Sequence, residues 1–118
     1  MKQQLSPVGS HVDIAPMSVN KCWQGQRFKT KGYRQYEMAV MLRLPKLTLP
    51  APPYKITLEF GVSSKLADWD NPVKPFQDIL QKKYKFNDKD IYEAVIRKYD
   101  VEKGKEYISF IIETLVRE

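Results

Sequence analysis

The chain predicts an α+β fold, a small single domain in which helices pack on a mixed sheet. Three observations predict it. Between Tyr54 and Val62 every even-numbered residue is apolar or aromatic (Tyr54, Ile56, Leu58, Phe60, Val62), the signature of a strand with one buried face. Two other stretches repeat apolar residues every three or four positions, as helices do: Tyr33, Tyr36, Val40 and Leu44, then Val73, Phe76, Ile79 and Leu80. Toward the C-terminus, Ile91 to Val101 and Tyr107 to Val116 return to a strand pattern. A chain of 118 residues is one domain by length and can bury roughly two-thirds of its unfolded surface.

Taken in order, residues 1–15 hold Pro7, Gly9 and Ser10 and then Val12 and Ile14, which suits an N-terminal arm or a short first strand. The domain proper is expected over 16–118. Pro16 to Asn20 is turn-prone. The next segment mixes Lys21, Arg27, Lys29 and Lys31 with Trp23 and Phe28. Cations meet phosphates and aromatic faces stack on bases, so the mixture suits nucleic acid; a basic loop with its aromatics tucked into the core reads the same way. The helix from Lys31 to Leu44 is stopped by Pro45, and Pro50, Pro52 and Pro53 mark a connector to the Tyr54 strand. A loop over Ser63 to Ala67 leads to the second helix, with Asp70 or Asn71 as its N-cap, Pro72 in its first turn and an end near Lys83. Glu102 to Glu106, with Gly104, predicts a hairpin turn between the last two strands. Ile108, Phe110, Ile112, Thr114 and Val116 form the inward face of the final strand.

Composition narrows the function. The chain is 42% hydrophobic and 29% charged, ordinary for a globular protein. No apolar run nears the roughly 20 residues a membrane-spanning helix needs, and the first residues lack a signal-peptide core, so the cytosol is the expected compartment. Cys22 is the sole cysteine, which excludes an intramolecular disulfide and a Cys-rich zinc site; His11 is the sole histidine, so a His-based triad or His-rich metal cluster is not expected, and both residues read as structural. Twenty Lys and Arg against 14 Asp and Glu give a formal charge of +6, which fits a polyanionic partner and fits mere solubility equally well.

Against that basic background the acids stand out. Ala67-Asp68-Trp69-Asp70-Asn71-Pro72-Val73-Lys74 places two aspartates just before a helix, and Asn87-Asp88-Lys89-Asp90 follows it. One aspartate there is explained as a helix cap, worth ~1 kcal/mol; a second and third are not. If the strand after Asp88 lies beside the Tyr54 strand, its beginning can return to the Asp68 loop. Three carboxylates within ~5 Å repel by ~3 kcal/mol per pair at an effective dielectric of ~20, a cost that a cation converts into affinity. Ligands that are all oxygen favour Mg²⁺, with Mn²⁺ a substitute, over zinc. Such a site activates water and stabilises charge on a phosphate. Lys74, one turn after Asp70, either pairs with Asp70 or Asp78 or reaches the phosphate.

These residues together resemble the RusA-type Holliday junction resolvases. Asp68-Trp69-Asp70-Asn71-Pro72-Val73-Lys74 is similar to that family's D-x-D-N-x-x-K motif, Asp88 to its acid opening a strand, and Lys98 follows ten residues later. Pro16, Ser18, Asn20 and Trp23 resemble its Pro-x-Ser-x-Asn segment with the aromatic and basic residues beyond. The resemblance runs from Pro16 to the C-terminus with segment order kept. It departs at Pro72, where a leucine is common, and at Asn87, where an acid often stands, so Asp90 is a reserve ligand. It implies a RusA-like fold and a homodimeric endodeoxyribonuclease that resolves four-way DNA junctions by paired, Mg²⁺-dependent nicks. Asp68, Asp70 and Asp88 would be catalytic metal ligands and Lys74 the catalytic lysine. Asn20, Lys21, Trp23, Arg27, Lys29, Lys31 and Lys98 would contact DNA. No membrane and no small-molecule cofactor is implied, and such proteins are often phage-borne. Two alternatives belong to other classes: a non-catalytic nucleic-acid-binding domain of the same fold, and an interaction protein with no affinity for nucleic acid.

Overall fold

The computed structural model describes residues 6–25 and 28–116. Strands β1 (Val8–Val12), β4 (Tyr54–Val62), β5 (Ile91–Asp100) and β6 (Tyr107–Thr114) form one sheet in the order β1-β6-β4-β5. A two-residue ribbon, β2 (Trp23–Gln24) with β3 (Phe28–Lys29), stands apart from it. Helices α1 (Lys31–Arg43) and α2 (Val73–Tyr84) complete the fold. The α+β class, with two helices beside a sheet, is as the periodicities predict, and the sheet is mixed. Among the described residues no helix is long and apolar enough to cross a membrane.

The alternation in β4 does what its pattern requires. Tyr54, Ile56, Leu58, Phe60 and Val62 are all buried, and the antiparallel register sets Ile56, Leu58 and Phe60 beside Ile112, Phe110 and Ile108 of β6. On that face Phe76 of α2 meets Phe60 and Phe110, with ring centres 6.2 and 5.9 Å apart. From α1, Tyr33, Tyr36 and Val40 join the same cluster, and Leu44 caps the helix. Each such side chain contributes roughly 1.5–3 kcal/mol by leaving water. Both helices thus cover one face of the sheet, while Thr57, Glu59, Arg97, Ser109 and Ile111 line a shallow hollow on the other.

Four expectations need correction. First, β5 and β6 are not a hairpin: β4 lies between them, paired parallel to β5 and antiparallel to β6. Gly104 does turn the chain, at φ 95°, but the turn carries it across the end of β4 instead of back along β5. Second, β6 stops at Thr114, and Val116 is 80% exposed. Third, α2 begins at Val73, and neither Asp70 nor Asn71 caps it. Its first turn holds Pro75 and follows Pro72, so fewer amides want a cap, and Val73 N–H is met by the Asp70 carbonyl at 3.1 Å. Fourth, because β4 and β5 run parallel, the beginning of β5 does not return to the Asp68 loop. Tyr54 stands beside Ile91 and Val62 beside Asp100, so α2 carries the chain from one end of the sheet to the other.

Candidate functional site

The loop between β4 and α2 leaves the sheet at Val62 and is fastened from three directions. Lys98 Nζ, from β5, donates to the Ala67 carbonyl at 2.9 Å. Val19 N–H, from the 3-10 turn at Val19–Lys21, donates to the Asn71 carbonyl at 2.8 Å. Within the loop, Asn71 Nδ2 donates to Asp68 Oδ2 at 3.3 Å. The register explains the first tether, since Lys98 lies beside Phe60 on the helix-covered face and its long side chain reaches along that face to the loop. Asp68, Trp69 and Asp70 are left exposed, Trp69 by 59%.

Beside this loop is a cavity of about 420 Å³, lined by Ser18, Lys21, Asp68, Asn71 and Glu106 among others. Glu106 accepts the Ser63 hydroxyl and the Gly104 N–H, both at 2.8 Å. Those bonds, that of Ser63 first, hold its carboxyl below the usual carboxylate range. Nothing in the local sequence around Glu106 marks it. Only the crossing of the 101–106 turn over the end of β4 brings it to the cavity that Asp68 also lines.

The other expected residues scatter. Lys74 pairs with Asp78 at 2.9 Å along α2, the ordinary i,i+4 contact. Asn20 and Lys21 lie at the 3-10 turn that is bonded to Asn71, so they belong to the Asp68 end. Lys29 is engaged within the chain, paired with Glu37 at 2.9 Å and 5.2 Å from the centre of the Tyr33 ring. Trp23 is 42% exposed and sets an edge against Tyr33; Lys31 is exposed at the start of α1. Arg27 lies outside the described residues.

Asp88 is the clearest separation. It opens a short 3-10 turn, Asp88–Asp90, that leads into β5 at Ile91, beside Tyr54 at the far end of the parallel pair. The Tyr54 phenol registers that position: burial raises its pKa, and the negative charge of Asp90 raises it further. The seven steps along β5 from Ile91 to Lys98 span roughly 23 Å. Oxygen ligands must stand within about 2.0–2.6 Å of a hard divalent cation, so Asp68, Asp70 and Asp88 of one chain do not fit around one ion. Among the described residues no three His, Cys, Asp or Glu side chains are grouped to hold a metal. Comparison with protein-family models and with curated proteins finds no match for this chain.

Proposed function

We propose that this protein is a structure-selective endodeoxyribonuclease acting on four-way DNA junctions. The observation that supports the reading is convergence at one end of the sheet. Asn20 and Lys21, Asp68 and Asp70, and Lys98 come from three distant parts of the chain, and the hydrogen bonds at Asn71 and Ala67 draw them together. These are residues that the resemblance assigns to DNA contact and catalysis. Asp88 stands at the opposite end, so a three-aspartate site needs two copies of the chain, with Asp88 of one copy joining Asp68 and Asp70 of the other. That agrees with a homodimer acting on a two-fold symmetric junction.

The deciding measurement is incubation of a synthetic four-way junction, and of linear duplex, with Mg²⁺ or with EDTA. Paired nicks near the branch point that need Mg²⁺ and spare the duplex are expected. The separation of Asp88 within one chain favours a second reading, a binding domain without catalysis. For that reading, tight salt-sensitive junction binding with no cutting under Mg²⁺ or Mn²⁺ is the outcome.

A further inference from the structure

We propose that two copies of this chain associate through β5, antiparallel across a two-fold axis centred on Val95. The inference rests on the open edge of the sheet and on its charges, independently of any cleavage chemistry. It gives the homodimer proposed above a surface and a register.

Among the described residues β5 is the last strand in the order and pairs with β4 alone. Just past its end, Val101 N–H donates to the Val62 carbonyl at 2.8 Å. Alternation along the strand then turns the amides of Ala94, Ile96 and Lys98 to the open edge. Proteins that leave such an edge to solvent shorten it, bulge it, or place proline or charge on it. β5 is bulged at Tyr92, but from Glu93 to Asp100 charge is the one device in use, and charges of both signs admit a partner whose charges match. That stretch runs beside β4 in unbroken register, without proline or glycine.

Charge selects the partner. On the face away from the helices, Lys55 of β4 stands beside Glu93 of β5, and Glu59 beside Arg97, the latter pair 3.6 Å apart. An antiparallel copy centred on Val95 sets Glu93 opposite Arg97 of the second copy, and Arg97 opposite its Glu93. Each row across the joined sheet then reads Lys55, Glu93, Arg97, Glu59, with charge alternating at every step. Centring on Ala94 or Ile96 instead would set Arg97 opposite Ile91 or Val95. In the Val95 register the two new pairs are non-hydrogen-bonded, the positions where side chains come closest. The antiparallel arrangement sets the start of each β5, with the Asp88 turn before it, beside the end of its neighbour's β5.

Sedimentation equilibrium without DNA tests this. The wild type is expected to be a dimer. Glu93→Arg and Arg97→Glu, each alone, set like charges opposite and should weaken self-association roughly tenfold or more; an equimolar mixture of the two should recover a heterodimer. Ala94→Pro removes an outward amide while leaving the β4 ladder intact and should yield a monomer with wild-type circular dichroism. Should that variant fail to fold, the charge-swap mixture decides, since Glu93 and Arg97 are both exposed. A monomeric wild type, or a dimer indifferent to the charge swaps, overturns the proposal. Either result leaves junction cleavage to be judged by its own assay.

Discussion

The two ends of the β4-α2-β5 unit carry the same kind of residue and are built differently. At the Val62 end, Asp68 and Asp70 sit on a loop held by Lys98 and Val19, which are 79 residues apart in the sequence. At the Tyr54 end, Asp88 and Asp90 sit in a short turn preceded by Lys85 in the left-handed conformation, φ 59°. Asn87 makes no side-chain cap there. The first end gathers distant chain and so has the makings of a site. The second is a local turn carrying charge. An aspartate's neighbours in sequence do not reveal which of these it belongs to.

The sharpest way to break the comparison is to neutralise one end at a time. Asp70→Asn should abolish junction cleavage, a loss of roughly 100-fold or more, while leaving junction binding intact. If Asp88 serves the neighbouring copy, Asp88→Asn should be equally inactive, and a mixture of the two variants should regain nicking of one strand. Exchange of subunits leaves one mixed site with all three aspartates. If both ends acted within one chain the mixture would stay dead, and an active Asp88→Asn would make that turn a bystander. A cutting Asp70→Asn sinks the ligand assignment at the first end.

A change midway between the ends should reach both. Phe76 is fully buried between Phe60 and Phe110 on the helix that joins the two regions. Phe76→Ala should cost about 3–5 kcal/mol, read as a fall in the denaturant midpoint. A loss below about 1 kcal/mol would mean that α2 is held by its termini and not by this contact.

The contrast also explains what the sequence reveals. β4 and α2 are legible because each is amphipathic with a clear period, and α1 because its apolar residues recur every three or four positions; Tyr36, Val40, Phe60 and Ile79 are buried, while Val73 is half-buried. Strand pairing was not legible. Ile91–Asp100 and Tyr107–Thr114 are separated by a turn that would serve a hairpin, and no local pattern announces that β4 lies between them. The separation of Asp88 from Asp68, and the arrival of Glu106 at the cavity that Asp68 also lines, both follow from that pairing. The basic segment was half legible. Its mixture of charge and aromatic side chains is real, but Lys29 is committed to Glu37 and Tyr33, a contact across eight residues that no local pattern announces.

Lys98 tests the tether itself. Lys98→Met keeps the aliphatic stem and removes the donor to the Ala67 carbonyl, and should cost about 1 kcal/mol. Amide exchange should quicken over 63–71 and stay unchanged at 85–90. Equal quickening at both ends would mean that the loop owes nothing to this bond.

The smallest effect belongs to a contact that serves neither end. Glu37 of α1 accepts Lys29 at 2.9 Å and Lys82 of α2 at 3.1 Å. Burial pushes its carboxyl up, but the two lysines outweigh that and hold its pKa below the ordinary value. A carboxyl depressed in the folded state stabilises it above the unfolded pKa, and the gain is lost as pH falls through the lowered folded pKa. Glu37→Gln should therefore lower stability by about 1 kcal/mol or less near neutrality. The gap from wild type should close in acid below the usual carboxylate range. High salt should shrink the gap too. A gap that persists in strong acid would assign the loss to altered packing between α1 and α2 and not to charge.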